Sequence, residues 1–110
     1  MERKLKFIVD GQIVKPDPEC DFENLVPGTE SYLTAEFDFS DDWIGYKKAV
    51  AFFSIMGKEY TPKLLENGKT CDIPPEALMR RAFKIMVVGR KGASKKVTNR
   101  LEIKQNGGVV

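Results

Sequence analysis

Cys20 and Cys71 are the strongest nucleophiles this sequence offers, and no histidine is present to activate either of them. Histidine is the commonest general base, the usual partner of a nucleophilic Ser or Cys, and the commonest metal ligand. Two thiols alone leave a zinc site two ligands short. The cysteines lie far apart in sequence and read as free thiols of a reducing compartment. Carboxylates and lysines remain for acid–base work, but no Gly-rich phosphate loop follows a strand and no Gly-x-Ser-x-Gly elbow occurs. The expectation is a chain that is not an enzyme and holds no metal and no cofactor.

Binding chemistry is what remains, and its candidates are aromatic and charged residues. Trp43 and Tyr46 flank Gly45 just after an apolar run. A Trp in that setting either plugs the end of a β-structure or anchors a partner, and the sequence leaves both readings open. Charge is sorted along the chain. Nine acidic residues and no Lys or Arg lie between Pro16 and Tyr46, whereas eight basic residues and no Asp or Glu lie between Ala77 and Arg100. The two segments either attract each other within one molecule or form an acidic and a basic patch that orient a partner. The residues expected to meet a partner are Asp41, Asp42, Trp43 and Tyr46, followed by the basic turn at Arg90 and Lys91. Nucleic acid is not expected, because Phe83 keeps phase with Ile85 and Val87 and reads as core rather than as a stacking platform. Nor is a membrane, since runs such as Ala49 to Phe53 are too short to cross one and the N-terminus has no signal-peptide-like apolar segment. No small-molecule substrate is expected either.

These residues need elements to position them. At 110 residues the chain has room for one domain, expected over 1–105 with a flexible tail at 106–110. Turn signals recur about every ten residues between short apolar stretches, which is the spacing of a sandwich or barrel. Lys4–Val9 reads as a strand, Asp10-Gly11 as a tight hairpin turn, and Gln12–Val14 as the return. Lys15–Gly28, with three prolines, reads as a long loop. Tyr32–Phe39 alternates strictly, with Leu33, Ala35, Phe37 and Phe39 on one face. Ser40 or Asp41 is placed to cap one helical turn. Lys48–Met56 is apolar on both faces and reads as a central, doubly covered strand. Glu59–Leu65 and Thr70–Ile73 flank an Asn67-Gly68 turn, Pro74–Met79 gives the one short helical turn, and Phe83–Arg90 pairs with Lys95–Gln105. The fold class is therefore all-β, an antiparallel sandwich of seven to eight strands.

The run Thr34-Ala35-Glu36-Phe37-Asp38-Phe39-Ser40-Asp41-Asp42-Trp43-x-Gly45-x-x-Lys48-x-Val50-x-Phe52 carries a further signal. With Cys71-Asp72-Ile73-Pro74-Pro75-Glu76-Ala77-Leu78, Phe83-x-Ile85-x-Val87-x-Gly89, Val97-Thr98-Asn99-Arg100 and the opening Leu5-Lys6-Phe7-x-Val9-Asp10-Gly11-Gln12, it resembles small domains of phage and prophage minor structural proteins from Gram-positive bacteria. Those occur in tail-fibre, baseplate and decoration components. The resemblance spans most of the chain and implies an immunoglobulin-like β-sandwich. It implies a virion structural protein, made in the bacterial host cytoplasm, whose partners are other virion proteins and itself. Relatives often lead into a longer fibre or coil, whereas this sequence ends soon after Gly107-Gly108, which leads to the expectation of a stand-alone virion or accessory component. The alternative is a phage-encoded inhibitor of a host defence or regulatory protein.

Overall fold

Leu5, Phe7 and Val9 are buried while Lys4 and Lys6, which alternate with them, are exposed, so the first strand has one dry face and one wet face. A computed structural model describes residues 3–22 and 33–105. Among these residues the strands are β1 (Arg3–Asp10), β2 (Ile13–Pro16), β3 (Leu33–Phe39), β4 (Lys47–Phe53), β5 (Lys63–Leu64), β6 (Thr70–Asp72), β7 (Ala82–Lys91), β8 (Ser94–Val97) and β9 (Leu101–Lys104). A 3-10 turn covers Asp41–Trp43, and a one-turn helix, α1, covers Pro75–Leu78. Sheet one runs β2-β1-β3-β6. Sheet two runs β5-β4-β7-β8, with β9 also paired to β7. The inner faces meet through Leu5, Phe7, Ala35 and Phe37 from sheet one and Val50, Phe52, Phe83, Ile85 and Val87 from sheet two. This is an all-β sandwich, and each of its buried large apolar side chains contributes about 1.5–3 kcal/mol.

Two details differ from the sequence expectation. Sheet one is mixed rather than purely antiparallel, because β1 pairs in parallel with β3 from Arg3↔Leu33 to Val9↔Phe39. The β1–β2 hairpin occupies the other edge of β1, so the chain reaches β3 by a long connection and arrives in the same direction. Nine strands replace seven or eight, since Lys95–Gln105 is broken between Val97 and Leu101. The break is made by Thr98. Its hydroxyl accepts the Val87 N–H (3.0 Å) and donates to the Asn99 carbonyl (2.9 Å), standing in for a ladder carbonyl.

Asn99, turned out of the ladder, crosses to sheet one. Its Oδ1 accepts the Val14 N–H (2.8 Å), its own N–H donates to the Gln12 carbonyl (3.1 Å), and Gln12 Nε2 donates back to the Val97 carbonyl (3.1 Å). The open edge of β2 is thereby stapled to sheet two. The opposite flank is joined by Asn67 (φ 52°) and Gly68 (φ 70°), the paired left-handed residues of a two-residue turn. That turn carries the chain from β5 in sheet two to β6 in sheet one.

Other expectations shift at their ends. The central strand stops at Phe53 and is buried on both faces only over Val50–Phe53, while Ile55 and Met56 ride an exposed turn. Glu59–Leu65 shrinks to β5 plus a single bridge at Glu59, with the donor-less Pro62 between them. Tyr32, much of the expected 15–28 loop and the 106–110 tail lie outside the described residues.

Both cysteines are free thiols. Cys71 is buried in the core, where desolvation above all, then the neighbouring Asp72 charge, pushes its thiol up to about 12 from the ordinary 9.0. The unfolded chain therefore loses this proton first as pH rises, and folding stability should fall between pH 9 and 12 by about 1.4 kcal/mol per pH unit from this residue. Urea titrations across that range should give a steeper decline for the parent chain than for Cys71→Ala; parallel declines would refute the assignment.

Candidate interaction surfaces

The β3 strand delivers its last aromatic, Phe39, to the end of the sandwich, and the 3-10 turn that follows folds Trp43 back over it. A file of rings results: Phe7 to Phe37 at 5.1 Å, Phe37 to Phe39 at 6.2 Å, Phe39 to Trp43 at 5.3 Å and Trp43 to Tyr46 at 5.8 Å. Trp43 is 0 % exposed, and its indole N–H donates to the Gly11 carbonyl at 2.8 Å, so its polar group is satisfied inside. It is a plug. Opposite it lies Gly89 on β7, where an added Cβ would sit 2.6 Å from Trp43 Cζ3. Only a residue without a side chain lets the ring lie against the β7 backbone.

Lysines close this end. Lys96 Nζ stands 5.0 Å from the Trp43 ring centre and 4.7 Å from that of Tyr46, and it donates to the Asp42 carbonyl (2.8 Å) and to Asp42 Oδ2 (3.0 Å). Lys91 lies over the Tyr46 ring at 5.8 Å. Lys48 lies over Phe39 at 5.1 Å and donates to the Tyr46 carbonyl. The Ser40 hydroxyl donates to the Asp42 carboxylate and accepts the Gly11 N–H (3.1 Å). It thus ties the β1–β2 turn to the 3-10 turn and makes no side-chain cap there, the role the sequence offered to it or to Asp41. Ser40 first, then Lys96, hold the Asp42 carboxyl below its ordinary 3.8.

The two expected contact segments are therefore one structure: Asp42, Trp43, Tyr46 and Lys91 come together. Asp41 and Arg90 are exposed. Lys96 and Gly89 belong to the same end and were not singled out by sequence. The inward phase of Phe83-Ile85-Val87-Gly89 was a usable signal for Gly89, since it leaves a small residue at a core-facing position. Nothing in the sequence spacing tells which lysine reaches the rings.

The charge sorting resolves unequally. On sheet one the acidic residues meet lysines of β1 and β2: Lys6 is in register with Glu36, Ile8 with both Lys15 and Asp38, and Lys4 lies 3.5 Å from Glu36. The outer face of sheet two has no such balance. Across its strands Lys47, Arg90 and Lys95 form one outward row. The next row is wholly apolar: Leu64, Ala49, Val88 and Val97. Ala51 and Met86 extend it. Beyond these come Phe53, Lys84 and Glu102, then Ala82 and Lys104, with the Arg100 guanidinium stacked 3.9 Å above Phe53. Six cations and one carboxylate thus surround an apolar stripe. Leu64 on that stripe is 68 % exposed.

Among the described residues, no three His, Cys, Asp or Glu side chains converge on a point that would hold a metal, and no helix is long and apolar enough to cross a membrane. No protein-family model matches the chain, and neither a curated protein nor a solved structure does.

Gly89→Ala should cost about 1–3 kcal/mol, since the new methyl must displace a packed indole or the strand itself. Chemical denaturation followed by Trp43 emission checks this, and an unchanged midpoint would refute the close approach. Asp42 adds a pH signature. With its carboxyl held below 3.8, its bond to Lys96 is intact at neutral pH and is lost as pH falls through the lowered value. The near-ultraviolet signal of Trp43 and Tyr46 should change there, and Asp42→Asn should remove that step.

Proposed function

We propose that this chain is a non-enzymatic structural component of a phage particle, a tail, baseplate or capsid-decoration protein that works by assembling with other virion proteins and with itself. The proposal keeps the immunoglobulin-like relationship suggested by the sequence resemblance, and with it synthesis in the host cytoplasm and residence in the virion. The observation that carries the assembly role is the outer face of sheet two. An antiparallel sheet with one wetted face ordinarily turns polar residues outward. Here Leu64, Ala49, Val88 and Val97 line up across four strands on that face, with cations in the row on one side and, beyond Ala51 and Met86, on the other. An apolar centre inside a polar rim is the anatomy of a protein–protein contact.

Charge and topology agree with this reading. The overall charge is only +2, so copies of the chain repel one another weakly, while the cationic rim favours an acidic partner surface and sets its orientation. Both flanks of the sandwich are occupied, one by the Asn99 staple and the other by the Asn67-Gly68 turn. Assembly through the outer face of sheet two leaves both of these links in place.

Mass spectrometry of purified phage particles from the encoding host should find the chain in stoichiometric amounts. Val88→Glu, a substitution on the outward face that leaves the core untouched, should fold as the parent does yet be missing from particles. Absence of the parent chain from particles, with abundance in infected cells, would overturn the virion reading. Normal incorporation of folded Val88→Glu would overturn the choice of face.

A further inference from the structure

At the end of the sandwich away from Trp43, the chain builds a concave site from two pinned segments. The first is the turn after β4. Ser54 N–H donates to the Lys58 carbonyl (2.7 Å), Gly57 N–H to the Ser54 carbonyl (3.0 Å) and Lys58 N–H to Ser54 Oγ (3.0 Å), and Gly57 takes φ 93°. This bonding holds Ile55 and Met56 out at the tip, where Met56 is 94 % exposed. The second is the segment from α1 to β7. Gln105, fully buried, donates from Nε2 to the carbonyls of Leu78 (3.1 Å) and Arg80 (2.8 Å) and from its backbone to that of Arg81 (2.6 Å). One residue thus satisfies the carbonyl of the last helical residue and two beyond it, and fixes the backbone that carries both arginines.

Between these segments lies a depression of about 490 Å3 lined by Ser54, Ile55, Met56, Lys58, Tyr60, Arg80, Arg81 and Ala82. Its lining combines apolar surface with three cations and includes no carboxylate. Among the described residues none of those cations is ion-paired. A second depression of about 620 Å3 shares Lys58, Tyr60 and Arg80 with it, and there Glu59 and Glu76 contribute the opposite charge. An anionic group is therefore favoured in the first depression, where Arg81 joins the shared Lys58 and Arg80 and no carboxylate competes. Volumes of this size suit a small organic ligand or the end of a peptide.

We infer that this cleft binds an apolar group bearing a carboxylate, with Arg80, Arg81 and Lys58 holding the carboxylate and Ile55, Met56 and Tyr60 covering the apolar part. Guanidinium groups pair with carboxylates through two parallel hydrogen bonds, and two arginines on a fixed backbone suit that geometry. The carboxylate belongs either to a free aliphatic acid or to the last residue of a peptide, and the two are separable by probe. The inference is independent of the virion proposal, since it concerns the end of the sandwich away from Trp43 and rests on none of the residues of the outer stripe of sheet two.

The test is amide-resolved NMR titration of the intact chain with octanoate and with N-acetyl-Leu-Leu, each beside its neutral counterpart, octanol or the C-terminal amide. Shifts confined to Ser54–Tyr60 and Arg80–Ala82, produced by a carboxylate and not by its neutral counterpart, are expected; the tighter acid names the source. The exposed double substitution Arg80→Gln/Arg81→Gln should weaken that acid about fivefold or more, and Met56→Ser should weaken it without changing the preference for charge. Equal binding of acid and neutral probe, shifts spread over the basic face of sheet two, no saturable shift with either acid, or an unchanged affinity in the folded double variant would each overturn the inference.

Discussion

Both sheets converge on one ring. Trp43 binds the β1–β2 turn of sheet one through its indole N–H, packs on Phe39 at the end of β3, and lies against the bare backbone of β7 at Gly89 in sheet two. Together with the Asn99 bonds to Gln12 and Val14, this single place for the indole sets the register of one sheet against the other. The polar shell around it follows from the same placement. Lys96 can stand over Trp43 and Tyr46 only because Asp42 and the Asp42 carbonyl neutralise and orient it, and Asp42 is itself fixed by Ser40. A cation over an aromatic face is worth little when exposed and more when partly desolvated. Lys96, with its side chain 19 % exposed, is in the second situation.

Closure of the flanks is a different solution to a different problem. A two-sheet sandwich leaves edge strands whose N–H and C=O groups invite pairing with other chains. Here Thr98 substitutes its hydroxyl for a ladder group, which frees Asn99 to bond the β2 edge at Val14 through both atoms of its amide. The same local break that divides β8 from β9 therefore protects an edge of the other sheet.

How much of this the sequence displayed depends on the range of the interaction. Strict alternation in Leu33–Phe39 and Phe83–Gly89 exposed both strands and their inward faces, and Asn67-Gly68 announced its turn. The parallel pairing of β1 with β3 was not visible, because pairing direction is set by the path of the connection and leaves no mark on alternation. The break at Thr98 was hidden for a related reason: a threonine reads as an ordinary strand residue until its hydroxyl finds a specific backbone N–H. The end of β4 was misjudged because Ile55 and Met56 extend an apolar run that the fold abandons at Phe53. At the candidate site, Asp42, Trp43, Tyr46 and Lys91 were found as members of two segments, but their meeting at one end is a property of the sheet order alone.

That meeting changes what the charge pattern means. Counted along the chain, the acidic and basic segments look like equal and opposite patches. In three dimensions the acidic segment is largely answered by Lys4, Lys6 and Lys15 on its own sheet and by Lys96 at the Trp43 end. The basic segment is answered on its outer face by Glu102 alone among the described residues. The surplus is therefore one-sided, and it coincides with the one outer row that is apolar across four strands. Coulombic steering by such a rim acts over about 8–10 Å at ordinary ionic strength, whereas the apolar stripe acts only on contact. On the proposed assembly role, a partner drawn by the cations would be turned to face the stripe before water is expelled, so the two features would act in sequence on one binding event.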